Sequence, residues 1–273
     1  MKLTQAILPL AGLGTRFLPW TKAVPKELLP IGNKPIVALL VDECIDAGIT
    51  DICFVISRGK EAIPEYFYED KALEAELKRR GKTHLLEELN RYDAVNFHVV
   101  YQDEQLGDGH AILQAAEWVK SDHVAVLFGD DLIVGKQAGL SQLKANFAGG
   151  AMLCLQDVPR EKVSSYGIAD VEPSKERLKI IKGLVEKPKP ADAPSTFGIV
   201  GRYILPKEIF DVLPTVGASH ASTGLSTSSG EIRIIDALIS MIGAQTISGY
   251  VFEGDRYDTG TPEGYREAVI ALG

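Results

Sequence analysis

Along the first 157 residues, apolar runs of strand length alternate with amphipathic stretches of helical period, and this alternation leaves few folds open to the chain. Ala6 to Leu10, Asp51 to Ser57, Val95 to Tyr101, His123 to Phe128 and Ala151 to Asp157 are predicted as strands. Between them lie predicted helices from about Lys34 to Ala47, Gly109 to Val119 and Leu140 to Phe147. In the first helix Ile36, Val37, Leu40, Val41, Cys44 and Ile45 form one stripe, with Asn33 as its expected cap and Gly48 as its stop. Strands that are apolar throughout and separated by helices form a mostly parallel sheet covered on both faces.

After residue 158 the rhythm changes to short strands, Ile168 to Val171, Leu178 to Glu186 and Phe197 to Leu205, which predict a smaller mixed sheet. A helix opening at Ser228-Ser229-Gly230-Glu231 with a capping-box pattern is expected to reach Met241, where Gly243 closes it, and Thr261-Pro262 starts the last helix. Residues 69–93 carry alternating charges at helical spacing, Glu74 with Lys78 and Glu76 with Arg80, and are predicted as a solvated helical insertion. Residues 217–230 hold few bulky side chains and are predicted as a loop or linker.

The first strand runs directly into Ala11-Gly12-Leu13-Gly14-Thr15-Arg16, and Lys22 and Lys26 follow within one loop's reach. Gly12 and Gly14 let the backbone come close to a ligand, so successive N–H groups can form an anion nest, and the cations add mobile positive charge. The pattern predicts a polyphosphate site. It is not a dinucleotide fingerprint, because Phe17 stands where the third glycine belongs and Ser57-Arg58 replaces the acid after the second strand. An NAD-dependent oxidoreductase is excluded on the same residues. A P-loop is absent too, because no glycine stands before a Gly-Lys-Ser/Thr string with four residues between them.

A net charge of −8 argues against a nucleic-acid or anionic-membrane surface, either of which needs a basic face. No segment approaches the roughly 20 apolar residues of a membrane span, and no signal peptide is recognisable, so a cytoplasmic protein is expected. Cys44, Cys53 and Cys154 are odd in number, sit in apolar contexts and lack metal-site spacing, which predicts buried thiols.

The string Ala11 to Pro30 resembles the signature of the sugar-nucleotidyltransferases, and its Thr-Lys-x-x-Pro-Lys-Glu version is similar to the bacterial UTP:glucose-1-phosphate uridylyltransferases. The resemblance continues through Gly107-Asp108-Gly109-His110-Ala111, Phe128-Gly129-Asp130-Asp131, Tyr166-Gly167, Val185-Glu186-Lys187-Pro188, Ile199 to Tyr203 and Tyr257-Asp258-Thr259-Gly260, and so covers nearly the whole chain. It implies a single Rossmann-like α/β domain of the nucleotide-diphospho-sugar transferase type. Residues 1–157 would serve the nucleotide, 158–260 the sugar, and 261–273 would form a closing helix.

The resemblance further implies an enzyme that joins UTP and glucose 1-phosphate into UDP-glucose and pyrophosphate with magnesium, as a homo-oligomer, dimer or tetramer. Ala11, Gly12, Gly14, Thr15, Gln102 and Gly107 would hold the nucleotide; Arg16, Lys26 and Lys187 would act on its phosphates and on the sugar phosphate. Asp131, Gly167, Glu186 and Val200 would face the hexose, and Asp130 and Asp258 would hold the metal. Residue chemistry independently favours Asp130, which ends an apolar strand where open α/β sheets bind ligands. Three departures are noted: Asp108 where Leu is usual, Arg233-Ile234-Ile235 where Gln-Leu-Thr is usual, and an Asp258-Thr259-Gly260-Thr261 wording closer to the thymidylyltransferases. These keep thymidylyl transfer, another hexose 1-phosphate, and a weakly active regulatory paralogue open as alternatives.

Overall fold

A computed structural model describes residues 2–222 and 231–273, with the side chains of 217–222 excepted. The strands are β1 (Gln5–Pro9), β2 (Pro30–Ile31), β3 (Lys34–Pro35), β4 (Asp51–Ile56), β5 (Asn96–Tyr101), β6 (His123–Leu127), β7 (Asp131–Val134), β8 (Ala151–Asp157), β9 (Gly167–Val171), β10 (Leu178–Glu186), β11 (Phe197–Pro206), β12 (Ile247–Val251) and β13 (Asp255–Asp258). The helices are α1 (Ile36–Asp46), α2 (Ala62–Glu65), α3 (Lys71–Arg79), α4 (Leu86–Leu89), α5 (Asp108–Leu113), α6 (Gly139–Ala145), α7 (Ile209–Ser222), α8 (Ile234–Met241) and α9 (Pro262–Leu272).

Nine strands form one sheet in the order β5-β4-β1-β6-β11-β8-β12-β10-β9, and β7 with β13 and β2 with β3 make two small ribbons. The block β5-β4-β1-β6 is parallel. β11 then runs antiparallel between β6 and β8, which turns the sheet mixed. The short strands expected as a smaller mixed sheet belong to the large one: β11 lies at its centre, and β10 and β9 make its far end, because β12 pairs with β8 on one side and β10 on the other.

Alternation along each strand sends side chains to two cores. Ala6, Leu8, Ile52, Phe54, Ala125 and Leu127 pack with α1 on one face. Ile7, Cys53, Val55, Val124 and Val126 pack with α5, α7 and α8 on the other. Strands buried on both sides must be apolar throughout, which is why the runs show no polar alternation. All three cysteines are buried and free. Burial pushes the Cys53 thiol up to about 12 and the other two up as well.

Several local expectations hold. Gly48 ends α1 with φ 75°, Gly243 follows α8 with φ 91°, and Thr261 Oγ1 caps α9 by accepting from Gly264 N at 3.1 Å. The insertion is helical and solvated, with Lys78–Glu74 at 3.1 Å and no buried side chain in α3 or α4. Others need correction. Asn33 does not cap α1; it sits in the turn between β2 and β3, and Pro35 precedes the helix. α5 stops at Leu113, since the backbone beyond it tightens to three-residue bonds such as Ala116 N to Leu113 O. Residues 217–222 of the expected loop continue α7, while 223–230 lie outside the described residues. The capping box at Ser228 falls there too. α8 itself begins only at Ile234, because Ile232 spends its N–H on Leu106 O (2.7 Å) and its carbonyl on Gly109 N (2.9 Å).

Candidate active site

The parallel block places β1 between β4 and β6, so chain direction away from the first strand reverses there, and a crevice opens beyond the C-terminal ends of β1 and β6. It is a cavity of about 310 Å³ lined by Ala11 and Gly12 after β1, Gln102 after β5, Gly107 and Asp108 at the start of α5, and Gly129 and Asp130 after β6. Lys26, Glu27 and Glu231 complete the wall. Five of the expected residues, Ala11, Gly12, Gln102, Gly107 and Asp130, therefore share one cavity with Lys26.

Two glycines of the site have a conformational or spatial reason. Gly14 takes φ 64° and is held by Thr21 Oγ1, which donates to its carbonyl at 2.8 Å. Gly107 takes φ 102°, and a Cβ there would lie 2.5 Å from the Ile232 carbonyl oxygen. Gln102, 3% exposed, donates from Nε2 to the Gly107 carbonyl at 3.0 Å, so the expected base-reading amide also anchors the loop beside it. Thr15 and Arg16 lie in a single exposed turn, and Arg16 Nη1 reaches the Gly260 carbonyl at 3.4 Å.

Lys26 donates to Asp130 Oδ2 at 3.0 Å. Burial works to raise the Asp130 pKa, but the adjacent Lys26 charge and hydrogen bond outweigh it and hold the carboxyl below its usual range. Burial likewise works to lower Lys26, and Asp130, Glu27 and Asp258 together outweigh it and raise the ammonium. Asp258 is brought in by the β7–β13 ribbon, in which it stands opposite Asp131. A Cβ on Gly260 would lie 2.9 Å from Asp130 Oδ2 and 3.0 Å from Asp258 Oδ1. The two carboxylates thus border one small cradle that only a glycine leaves open. Two carboxylates with room for phosphate oxygens is a donor set that suits magnesium.

The residues expected at the sugar come from β7, β9, β10 and β11. Glu186 stands opposite Gly167 in the β9–β10 pair, and a Cβ on Gly167 would come within 3.2 Å of Glu186 Oε2. Lys187 has φ 45°, unusual for a residue with a Cβ, and its exposed ammonium lies 3.3 Å from Glu186 Oε1. Two of the expected sugar contacts are not free side chains. Val200 is 2% exposed and packs in the core, which leaves only its backbone near the site. Asp131 is buried with both oxygens engaged: Oδ2 accepts from Gly201 N at 2.8 Å and Oδ1 from Arg256 Nε at 2.5 Å. It braces the strand rather than presenting an open oxygen.

Four residues that organise the site are assigned no role from the sequence, although Glu27 and Arg202 lie within the strings that carry the resemblance. Arg202 is fully buried and bonds both oxygens of Glu43, with a further bond to the Asp131 carbonyl at 2.5 Å. Arg256 bridges Asp131 and the Tyr166 hydroxyl. Glu27 is 1% exposed and pairs with buried Lys60 at 3.0 Å. Position beyond a strand end, as for Lys60 after β4, was the one available signal. The unusual Asp108 is explained locally: Oδ1 accepts from Gly109 N at 2.6 Å and from Ile234 N at 2.9 Å, so it caps α8 from another element.

The chain belongs to the nucleotidyl transferase family, whose model matches residues 5–272. It is 39% identical over 275 residues to a UTP–glucose-1-phosphate uridylyltransferase of Bacillus subtilis, covering 100% of this chain and 90% of that protein. A second such enzyme, from Staphylococcus saprophyticus, is 40% identical over 98% of this chain and 91% of its own length. The fold is similar to that of a UDP-glucose pyrophosphorylase crystallised with UDP-glucose, with TM-score 0.85, 34% identity and coverage of 99% of this chain and 98% of that one.

Proposed function

We propose that this chain transfers the uridylyl group of UTP to glucose 1-phosphate, forming UDP-glucose and pyrophosphate by in-line displacement at the α-phosphorus. The observation that carries the mechanism is the Gly260 cradle, which sets Asp130 and Asp258 beside Lys26 at the mouth of the glycine loop. The names of full-length relatives supply the choice of UTP and glucose. Attack of one phosphate oxyanion on another phosphate is opposed mainly by charge, so the protein's work is alignment and neutralisation.

In this reading Ala11, Gly12, Gln102 and Gly107 hold the uridine, with Gly14 and Thr15 at the phosphates. Lys26 and Arg16 bind the triphosphate, Arg16 acting on the departing pyrophosphate. Glu186 and Gly167 meet the hexose, as does the backbone at Val200, and Lys187 meets its phosphate; Asp131 supports them from behind. Asp130 and Asp258 would hold a magnesium ion, which when bound supplies charge neutralisation at the α-phosphate. Residues 1–157 serve the nucleotide and 158–260 the sugar, with 261–273 closing the sheet.

The same reading makes the protein a cytoplasmic homo-oligomer, dimer or tetramer, with no nucleic-acid or membrane partner. No helix among the described residues is long and apolar enough to cross a membrane. Apolar side chains outside the core, Ile270 at 84% exposure among them, fit contacts between copies. The test is pyrophosphate release with UTP and dTTP against a panel of hexose 1-phosphates, with and without magnesium, on wild type and Asp130→Asn. Turnover should be highest with UTP, glucose 1-phosphate and magnesium. Asp130→Asn should lose about a hundredfold in rate, the loss expected of one charge-stabilising group. Equal rates for the folded variant would remove Asp130 from the metal site.

A further inference from the structure

Lys60 is a buried cation that the reaction does not use. It lies past the end of β4, 8% exposed, and its ammonium donates to Leu10 O at 2.6 Å, to Gly12 O at 2.6 Å and to both oxygens of Glu27 at 3.0 Å. An ammonium has three protons, so these acceptors use all of them and none is left for a phosphate. A ligand role is thereby set aside.

What those contacts fix is the chain around the nucleotide. Carbonyl and N–H point to opposite sides of a trans peptide. With the Leu10 and Gly12 carbonyls turned onto Lys60, the N–H groups of Ala11 and Leu13 are turned away from it, and neither has a protein partner among the described residues. Glu27, the other anchor, lines the nucleotide cavity and adjoins Lys26, whose ammonium holds Asp130 at 3.0 Å. One buried ammonium therefore ties the glycine loop to the turn that carries the phosphate-side lysine, across separations of 48 and 33 residues.

We propose that Lys60 is a positioning residue that sets both walls of the triphosphate site before UTP arrives. The proposal rests on the placement of the triphosphate at residues 11–16 and 26. Preorganisation of this kind lowers the cost of binding, and loss of supporting contacts around a charged site typically costs about 10- to 100-fold.

The experiment compares wild type, Lys60→Met and Lys60→Arg, with Arg16→Ala and Lys26→Ala as controls. It measures UTP Kd by calorimetry, the KM for glucose 1-phosphate, and thermal melting. Lys60→Met should weaken UTP about 10- to 100-fold while the KM for glucose 1-phosphate stays within about twofold, because the sugar side does not touch Lys60. Lys60→Arg keeps the charge opposite Glu27 but places no single nitrogen between the two carbonyls, so it should also weaken UTP. It serves as the test if Lys60→Met does not fold. A folded variant with wild-type UTP affinity, whatever its melting temperature, would show Lys60 to be structural only and overturn the proposal. So would equal losses for UTP and glucose 1-phosphate. If Arg16→Ala and Lys26→Ala also leave UTP binding intact, the placement of the triphosphate itself has failed.

Discussion

At the scale of single residues, Lys187 carries a conformational cost that its backbone surroundings impose. A φ of 45° is unfavourable for any residue with a Cβ, and such positions cost on the order of 1 kcal/mol or more unless the surroundings impose them. Here the preceding strand pairs Glu186 with Gly167, Lys187 N donates to Tyr166 O at 3.0 Å, and Pro188 fixes the exit. The turn sets the Lys187 ammonium beside Glu186, at 3.3 Å. Lys187→Gly should therefore keep or raise the melting temperature while lowering kcat/KM for glucose 1-phosphate about a hundredfold, whereas Lys187→Ala should lose activity without the gain in stability. Wild-type turnover in Lys187→Gly, measured by pyrophosphate release, would show that the strain serves the chain path alone. The sequence displayed Glu186-Lys187-Pro188 as a string, but not the backbone angle, which arises from the pairing of β9 with β10.

Among the elements, α5 supplies from its first residue a cap for α8 that α8 does not contain. Asp108 begins α5 and accepts from the first N–H of α8, which lies 126 residues further on. Burial pushes its carboxyl up, against the two backbone N–H bonds that favour the anion. A carboxyl whose folded pKa is raised costs stability while ionised. That cost is present above the raised pKa and is relieved as pH falls through it. Asp108→Asn keeps the acceptor without the charge, so it should melt at or above the wild-type temperature at neutral pH, and the difference should shrink as pH falls toward the ordinary Asp value of 3.8. Asp108→Leu removes the acceptor and should cost about 1 kcal/mol, as loss of a helix cap generally does. Urea unfolding of both variants between neutral and acid pH checks the sign. The insertion behaves differently: Arg91 binds Asp42 on α1 at 2.8 Å and Glu88 of α4 reaches Lys34 of β3 at 3.4 Å, so its charged segment is docked by ion pairs rather than by a buried face.

For the molecule as a whole, the buried Arg202–Glu43 pair ties α1 to β11 across 159 residues and holds the carbonyl of Asp131, next to Asp130. Breaking such a pair leaves one charge buried alone, which typically costs about 3–5 kcal/mol, whereas removing both charges together is much less harmful. Arg202→Met should therefore be severely destabilised, and Arg202→Met with Glu43→Leu should recover most of the loss in chemical denaturation. If the double variant is stable but its turnover stays low, the pair also sets the geometry of the Asp130 turn. Recovery of both would confine its role to folding.

The sequence by itself determined the two-sided core, the strand-and-helix order of the first half and the place of the glycine loop. Those follow from local rules: uninterrupted apolar runs must be buried on both faces, and glycines mark where backbone meets ligand. It also indicated part of the cavity wall, Asp130 by its place at a strand end and Ala11, Gly12, Lys26, Gln102 and Gly107 through the family resemblance. Only the tertiary structure decided what depends on contacts between distant segments. It joined the short strands to the main sheet through β12, set Asp258 beside Asp130 through the β7–β13 ribbon, and made Gly260 the open point between them. It turned Asp131 into a brace, since its carboxylate accepts from Gly201 N where β11 bulges between Val200 and Tyr203, and it packed Val200 into the core. Lys60, Glu27, Arg202 and Arg256 stayed unmarked for the same reason: a buried charge is recognised by the partner that neutralises it, and here each principal partner lies 33 to 159 residues away.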